Sequence, residues 1–217
     1  KKKKKRQAVR GGGGGIFGLA GSASGGATSF TPASGNGANV VALPRVKVGM
    51  PQIDTLWQKQ KPKWLPYDNV WLQKNGKTVS FTSGPQGIRY GRAHGGFDVA
   101  VGGSLEAQLI APIGGTMTVA SDPKGFGPHY PLIKATWMGK TIRVFMGHTR
   151  AIAPGLENGG VVQAGQFIAY QGTEGRSSGP HLHMDVRYTE GGQQFMIDPY
   201  AWLDSLPIPN NAFRTGV

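Results

Sequence analysis

The sequence predicts a mainly β domain, built as a sheet, a sandwich or a barrel, preceded by an irregular basic arm. From about residue 79 onward, short runs alternate apolar and polar residues, as in Thr116 to Val119 and Thr141 to Met146, which is typical of strands. Glycine and proline separate these runs, and no long segment has the 3.6-residue period of a helix. One short helix is expected within Asp198 to Leu206, because Asp198 suits the N-cap and Pro199 the first helical position.

The first 45 residues have the composition of a basic, glycine-rich arm. Lys1 to Lys5, Arg6 and Arg10 supply seven of the 24 basic residues, and glycine, serine and alanine follow without periodicity. Such a segment cannot bury enough apolar surface to order itself. Two interpretations remain open: a flexible solvated tail, and an assembly element that docks on protein partners or on an anionic surface.

Charge and composition exclude several classes of function. After Arg10 the chain carries 17 basic residues (24 − 7) against 11 acidic ones, so the net charge of +13 arises mostly at the N-terminus. Nucleic-acid binding is therefore disfavoured, because no recognition motif accompanies the charge. The absence of cysteine excludes disulfides, thiolate nucleophiles and cysteine zinc ligands. No apolar run approaches the roughly 20 residues of a transmembrane helix, and Ile16 to Ala20 is too short for a signal peptide.

Residues 46–78 are predicted to form a lead-in to the domain. Trp57, Trp64 and Trp71 follow one another at intervals of seven, but Pro62 and Pro66 make a heptad helix implausible. We expect an extended segment whose aromatic residues pack on the domain; the alternative is an aromatic platform for a ligand. The domain itself is predicted to cover residues 79–206, and residues 207–217 to form a C-terminal tail.

Two of the five histidines stand one residue apart in the segment H-L-H-M-D-V-R-Y. On a strand, side chains alternate between faces, so His181 and His183 lie on a polar face together with Asp185. The opposite face is apolar and anchors the strand to a core. The two imidazoles, about 6 to 7 Å apart along the backbone, can serve as two metal ligands or as a ligand and a proton-transfer group. The alternative is a pair of surface histidines.

A second candidate pair, His94 and Asp98, flanks two glycines. Fully extended, four residues span about 13 Å, too far for one metal ion, and interior glycines disfavour a helix. A bend through Gly95 and Gly96, with dihedrals that glycine permits, can aim both side chains at one point. With one more histidine this pair fits a three-ligand zinc site that keeps an open position. The alternative is a capped turn.

His148 follows the predicted strand that ends near Met146. If the alternation continued, His148 would face the core as a buried, hydrogen-bonded histidine. Gly147 can instead break the register and turn the ring outward. The fifth histidine, His129, belongs to no motif and is interpreted as a loop residue.

Together these motifs resemble the lysostaphin-like (LytM-type) zinc metallopeptidases that cut bacterial cell-wall peptides. The order is H-x-G-x-D from His94, then G-H at His148, then G-x-S-S-G-P-H-L-H ending at His183, and the resemblance covers about residues 79–206. It implies an antiparallel, open-barrel-like sheet with a groove. It also implies that His94, Asp98 and His183 bind Zn²⁺ and that His148 and His181 form the catalytic pair.

The chain departs from the family's common pattern beside two of these motifs. Met146 and Thr149 flank the middle histidine where the family often has Tyr before it and Leu or Met after it. Met184 and Asp185 stand where Phe-Glu is common. No expected ligand or proton-transfer group is missing, so these departures bear on substrate contacts and on whether Asp185 orients His183.

The expected function is a zinc-dependent endopeptidase that hydrolyses peptide cross-links or stem peptides of bacterial peptidoglycan. The arm favours a virion-associated component, in a phage tail, that acts at the host cell envelope. The alternatives are a bacterial envelope hydrolase, periplasmic or extracellular, and a catalytically silent module with a structural or assembly role.

Overall fold

The computed structural model describes residues 45–47, 58–85, 88–89 and 92–216. Residues 1–44 of the arm and Trp57 lie outside the described residues, so the arm's docking role stays a prediction. Within the described part of the chain, no helix is long and apolar enough to cross a membrane.

The described residues form sixteen strands and two helices of six residues each. The strands are β1 Arg45–Lys47, β2 Trp64–Asp68, β3 Ser80–Ser83, β4 Ile88–Arg89, β5 Arg92–Ala93, β6 Phe97–Ala100, β7 Gln108–Ile110, β8 Gly115–Asp122, β9 Gly127–Trp137, β10 Lys140–Gly147, β11 Ala151–Ile152, β12 Gly160–Val162, β13 Phe167–Tyr170, β14 Leu182–Glu190, β15 Gln193–Ile197 and β16 Ala212–Arg214. The helices are α1 Asn69–Lys74 and α2 Pro199–Asp204. The predicted mainly β fold is confirmed, and Asp198 caps α2 by accepting hydrogen bonds from the amides of Tyr200 and Ala201.

The main sheet is antiparallel and has nine strands among the described residues. Its principal order is β1-β15-β14-β10-β9-β8-β12, and β6, with β3 beyond it, also pairs with β14. One edge of β14 therefore pairs with β6 near Leu182 and with β15 near Glu190, while the other edge pairs with β10. The described strand order does not close on itself, which agrees with an open sheet rather than a closed barrel.

The alternation of β14 separates its two faces as the sequence predicts. Leu182, Met184 and Val186 are fully buried in the core. His181, just before the strand, and His183 lie on the opposite face and keep 13% and 12% of their side chains exposed. Burial of the apolar face stabilises the strand by about 1.5–3 kcal/mol for each large side chain, so the position of the histidines is held by the core.

The lead-in and the tail contribute to a second sheet, of order β11-β13-β7-β2-β16. In this sheet β2, from the lead-in, pairs with β7 and with β16, from the tail. Trp64 is fully buried, and its indole Nε1 donates a hydrogen bond to the carbonyl of Leu203 at 3.0 Å. Trp64 therefore packs on the domain as expected, although the lead-in is not wholly extended, because it also contains α1.

Candidate metal centre

Two neighbouring strands and the loop before one of them bring the predicted ligands together. Asp98 on β6 is the direct antiparallel partner of His183 on β14. His94 lies four residues before Asp98, directly after β5. One ligand atom from each of these three residues lies within 4.8 Å of the other two.

The distances between these ligand atoms fit a single small cation. Asp98 Oδ1 lies 2.8 Å from His183 Nδ1 and 3.3 Å from His94 Nε2, and the two nitrogens are 3.1 Å apart. Bonds of about 2.0–2.1 Å at tetrahedral angles would place zinc ligands about 3.3 Å apart. All three side chains are at most 12% exposed, so the donors point into a shielded site.

The two glycines between His94 and Asp98 are needed for space, not for unusual dihedrals. Neither glycine has a positive φ, so the predicted reason for them is wrong. A Cβ on Gly96 would lie 2.6 Å from His183 Cε1 and from the carbonyl oxygen of Met184, and one on Gly95 would overlap the Met196 sulfur. Glycine lets the loop approach β14 closely enough for His94 and His183 to share a site.

The charges around the ligands favour a cation between them. Burial opposes ionisation of Asp98, but hydrogen bonds with His183 and His94 outweigh it and hold the carboxyl pKa well below its usual range. Burial likewise opposes a charge on His183, yet Asp185 and Asp98 raise the imidazole pKa to about 9. The same negative groups that attract a proton to this ring would attract a dication in its place.

In each predicted ligand histidine, the ring nitrogen that points away from the ligand cluster faces an oxygen atom of another residue. His94 donates from Nδ1 to the carbonyl oxygen of Gly84 at 2.9 Å, which leaves Nε2 free to bind the ion. His183 Nε2 faces Asp185 Oδ2 at 3.6 Å, longer than a hydrogen bond, so this carboxylate acts on the ring mainly as a nearby charge. Arg187 binds both oxygens of Asp185, at 2.9 and 2.6 Å, and thereby fixes that charge in place.

His148 and His181 stand side by side next to the ligands, with ring centroids 4.5 Å apart. His148 follows β10 with a positive φ of 65°, and this backbone turn takes it out of the strand alternation. The side chain is still buried, with only 7% of the residue exposed, and this burial lowers the imidazole pKa to about 4. The alternation therefore ends at Gly147, but the His148 ring is buried and hydrogen-bonded rather than turned towards solvent, so each of the two alternatives describes only part of its position.

Both of these rings have their Nδ1 protons held by carbonyl groups. His148 Nδ1 donates to the carbonyl of Glu174 at 2.7 Å, and His181 Nδ1 donates to that of Gly179 at 2.8 Å. Since a carbonyl can only accept, the neutral form of each ring carries its lone pair on Nε2. His181 Nε2 lies 3.8 Å from Asp98 Oδ1, so this lone pair is beside the ligand cluster.

Sequence reasoning missed Phe126, which packs against the site. Its ring lies 5.4 Å from the His183 ring, and its carbonyl accepts a hydrogen bond from the His148 amide. A Cβ on Gly147 would lie 2.6 Å from the Phe126 ring, so the glycine before His148 makes room for this contact. Gly147 is the only sequence signal for the contact, and it does not identify the partner.

His129 takes no part in the cluster. It lies on β9 rather than in a loop, so the loop prediction is wrong. Its Nε2 donates to the carbonyl of Arg150 at 2.6 Å, and its own carbonyl accepts from the Thr149 hydroxyl. These contacts tie β9 to the segment after β10.

Comparison with known proteins gives one family. Residues 92–198 match the model of Peptidase family M23. A comparison with curated protein sequences found no match.

Several solved structures are similar to the chain. The catalytic domain of the prophage-encoded M23 protein EnpA from Enterococcus faecalis, in a mutant form, is 27% identical, with 54% of this chain and 86% of that one covered and a TM-score of 0.42. The catalytic domain of the antimicrobial peptidase lysostaphin from Staphylococcus simulans is 23% identical, with 64% of this chain and 99% of that one covered and a TM-score of 0.48. A zinc-containing peptidase from Vibrio cholerae is 22% identical, with 69% of this chain and 41% of that one covered and a TM-score of 0.45. The five site residues thus lie in a segment, 107 of the chain's 217 residues, that matches peptidase family M23.

Proposed function

We propose that this chain is a zinc-dependent endopeptidase that hydrolyses peptide cross-links or stem peptides of bacterial peptidoglycan. The observation that carries the proposal is the convergence of five predicted residues. Two imidazole nitrogens and one carboxylate oxygen meet at ligand distances, and two further imidazoles present Nε2 lone pairs beside them. The match to peptidase family M23 supports the same reaction class.

The donor set favours zinc. Two neutral imidazoles and a carboxylate are ligands of catalytic zinc sites, which keep a fourth position open for water or substrate. His94, Asp98 and His183 would hold the ion. Zinc bound in this way supplies a Lewis acid that activates water near neutral pH and polarises a carbonyl group.

The remaining two histidines can move the protons that amide hydrolysis requires. With Nδ1 held by a carbonyl, Nε2 of His181 or His148 can accept a proton from the attacking water. Once protonated, the same Nε2 can donate, either to the oxygen that gains negative charge or to the leaving amine. No serine or cysteine nucleophile is required, which agrees with a chain that has no cysteine.

Digestion of purified peptidoglycan tests this function. The zinc-loaded chain should release new amino and carboxyl ends, and mass spectrometry of the fragments would identify the bond that is cut. His181→Ala should abolish release, whereas His129→Gln, a histidine change outside the cluster, should leave it intact. Zinc-loaded protein that binds peptidoglycan without releasing ends would refute catalysis and favour the silent module.

We also propose that the protein acts as a virion-associated component, in a phage tail, at the host cell envelope. The support is the sequence of the arm, since a polybasic glycine-rich segment suits assembly with a partner or contact with an anionic wall. Proteomic analysis of purified particles tests this location. Recovery only in the periplasmic or extracellular fraction of a bacterial producer would refute it and favour an envelope hydrolase.

A further inference from the structure

A recess of about 410 Å³ lies beside the candidate metal centre. Its wall includes Lys59, Lys61, Phe81, Ser83, Gly84 and Tyr200. Tyr200 lies on α2, and all six residues lie outside residues 92–198, the segment that matches the peptidase family. Lys59 and Lys61 also lie outside the wider resemblance, over about residues 79–206, so neither the family match nor that resemblance explains the two lysines of the recess.

The lysine-bearing side of the recess is held in place by helix α2 and its cap. The Gln58 amide donates to the carboxylate of Asp198, and the Gln58 side chain donates to Asp204 Oδ2 at 3.0 Å. Asp204 Oδ1 accepts from the Lys63 amide at 2.8 Å. These contacts anchor both ends of residues 58–63 and fix where the lysines between them stand.

The opposite side of the recess is shared with the metal centre. Ser83 on β3 pairs with Asp98 on β6, so a wall residue is the strand neighbour of a predicted ligand. The carbonyl of Gly84 accepts the hydrogen bond that orients His94. A peptide held with its scissile bond at the ligands can therefore place a neighbouring residue in the recess.

The lining of the recess favours an anion. Lys59 and Lys61 are exposed cations, and Lys61 Nζ lies 4.6 Å from the centre of the Phe81 ring, a contact that restrains it. No acidic residue is among the described lining. The nearby Asp198 and Asp204 already accept hydrogen bonds from residues 58–63. Hydroxyl groups of Ser83 and Tyr200 add donors suited to carboxylate oxygens.

We propose that this recess is a specificity subsite that binds a carboxylate-bearing residue of the substrate peptide next to the bond that is cut. The proposal rests on the proposed endopeptidase function and narrows its substrate class to peptides with a free carboxylate at that position. Lys59 and Lys61 act there as specificity-determining residues, without a part in the chemical step.

The first test compares kcat/KM for two synthetic stem peptides, one with a free α-carboxylate on its γ-linked glutamate and one amidated there. Wild-type protein should prefer the free carboxylate by about tenfold, and Lys59→Gln and Lys61→Gln should each reduce that preference about threefold, as expected for solvent-exposed ion pairs. High salt should reduce the preference. Lys77→Gln, a matched lysine change outside the recess, should leave it unchanged.

Equal rates for the two peptides, or a preference that survives in the Lys59→Gln/Lys61→Gln double variant, would overturn the subsite. A second readout separates this outcome from failure of the proposed function. Binding of both peptides to full-length, zinc-loaded His181→Ala protein is measured by calorimetry. If wild-type protein cuts neither peptide, but adding Lys59→Gln and Lys61→Gln to the His181→Ala protein weakens binding of the free-carboxylate peptide, the subsite stands and the endopeptidase function fails. If the added lysine changes leave binding of both peptides unchanged, the subsite is overturned.

Discussion

Replacing Gly96 by alanine should disrupt the candidate metal centre although none of the three proposed ligand residues is changed. The added Cβ would lie 2.6 Å from His183 Cε1 and Nε2, whereas even a tight contact needs 3.0 Å and an ordinary one 3.4 Å, so the ring must shift by 0.4 Å (3.0 − 2.6) to 0.8 Å (3.4 − 2.6). The carbonyl oxygen of Met184 would also lie 2.6 Å from this Cβ, and as a backbone atom of β14 it cannot move away as easily as a side chain can. Overpacking of this kind costs about 1–3 kcal/mol.

A shift of that size should weaken zinc binding by about 10- to 100-fold, as changes around metal ligands typically do. Zinc affinity is measured by competition with a chromophoric chelator, and stability by thermal unfolding of the chelated protein. Gly114→Ala is the matched control, because its Cβ meets no atom closer than 3.4 Å. If Gly96→Ala binds zinc with wild-type affinity, the reasoning that position 96 needs glycine because the loop approaches β14 closely is refuted.

Three further predictions concern other parts of the site. His181→Ala should bind zinc with wild-type affinity yet lose at least about 100-fold in kcat, measured on peptidoglycan fragments, and loss of zinc would contradict its assignment as a non-ligand. Arg187→Gln should destabilise the protein by about 3 kcal/mol in urea unfolding, because Asp185 is then buried without its main partner. The double change Asp185→Asn/Arg187→Gln should recover part of this loss, and no recovery would contradict the ion-pair explanation. Chelation should lower the melting temperature, since the ion binds only the folded arrangement, and re-addition of zinc should restore it.

The local patterns of the sequence account for the sheet and for the faces of its strands. Alternation in H-L-H-M-D-V-R-Y predicts that His181 and His183 share a face, and the structure places Leu182 and Met184 in the core opposite them. This works because a strand's period of two is a local property.

Contacts between distant segments could not be predicted in the same way. Nothing near Phe126 indicates that its ring packs on His183, and nothing in residues 58–63 indicates that Asp198 and Asp204 hold them. The spacing of Gly95 and Gly96 signals a special position, but local reasoning assigns it to dihedral freedom. The space that these glycines leave is visible only once β14 lies against them.

The claim that one zinc ion is held by His94, Asp98 and His183 is tested most directly by metal stoichiometry. Full-length protein prepared with zinc and dialysed should contain one zinc ion per chain by elemental mass spectrometry, and His183→Ala should contain almost none. Zinc-free wild-type protein, or a full equivalent retained by the His94→Ala/His183→Ala double variant, would contradict the account.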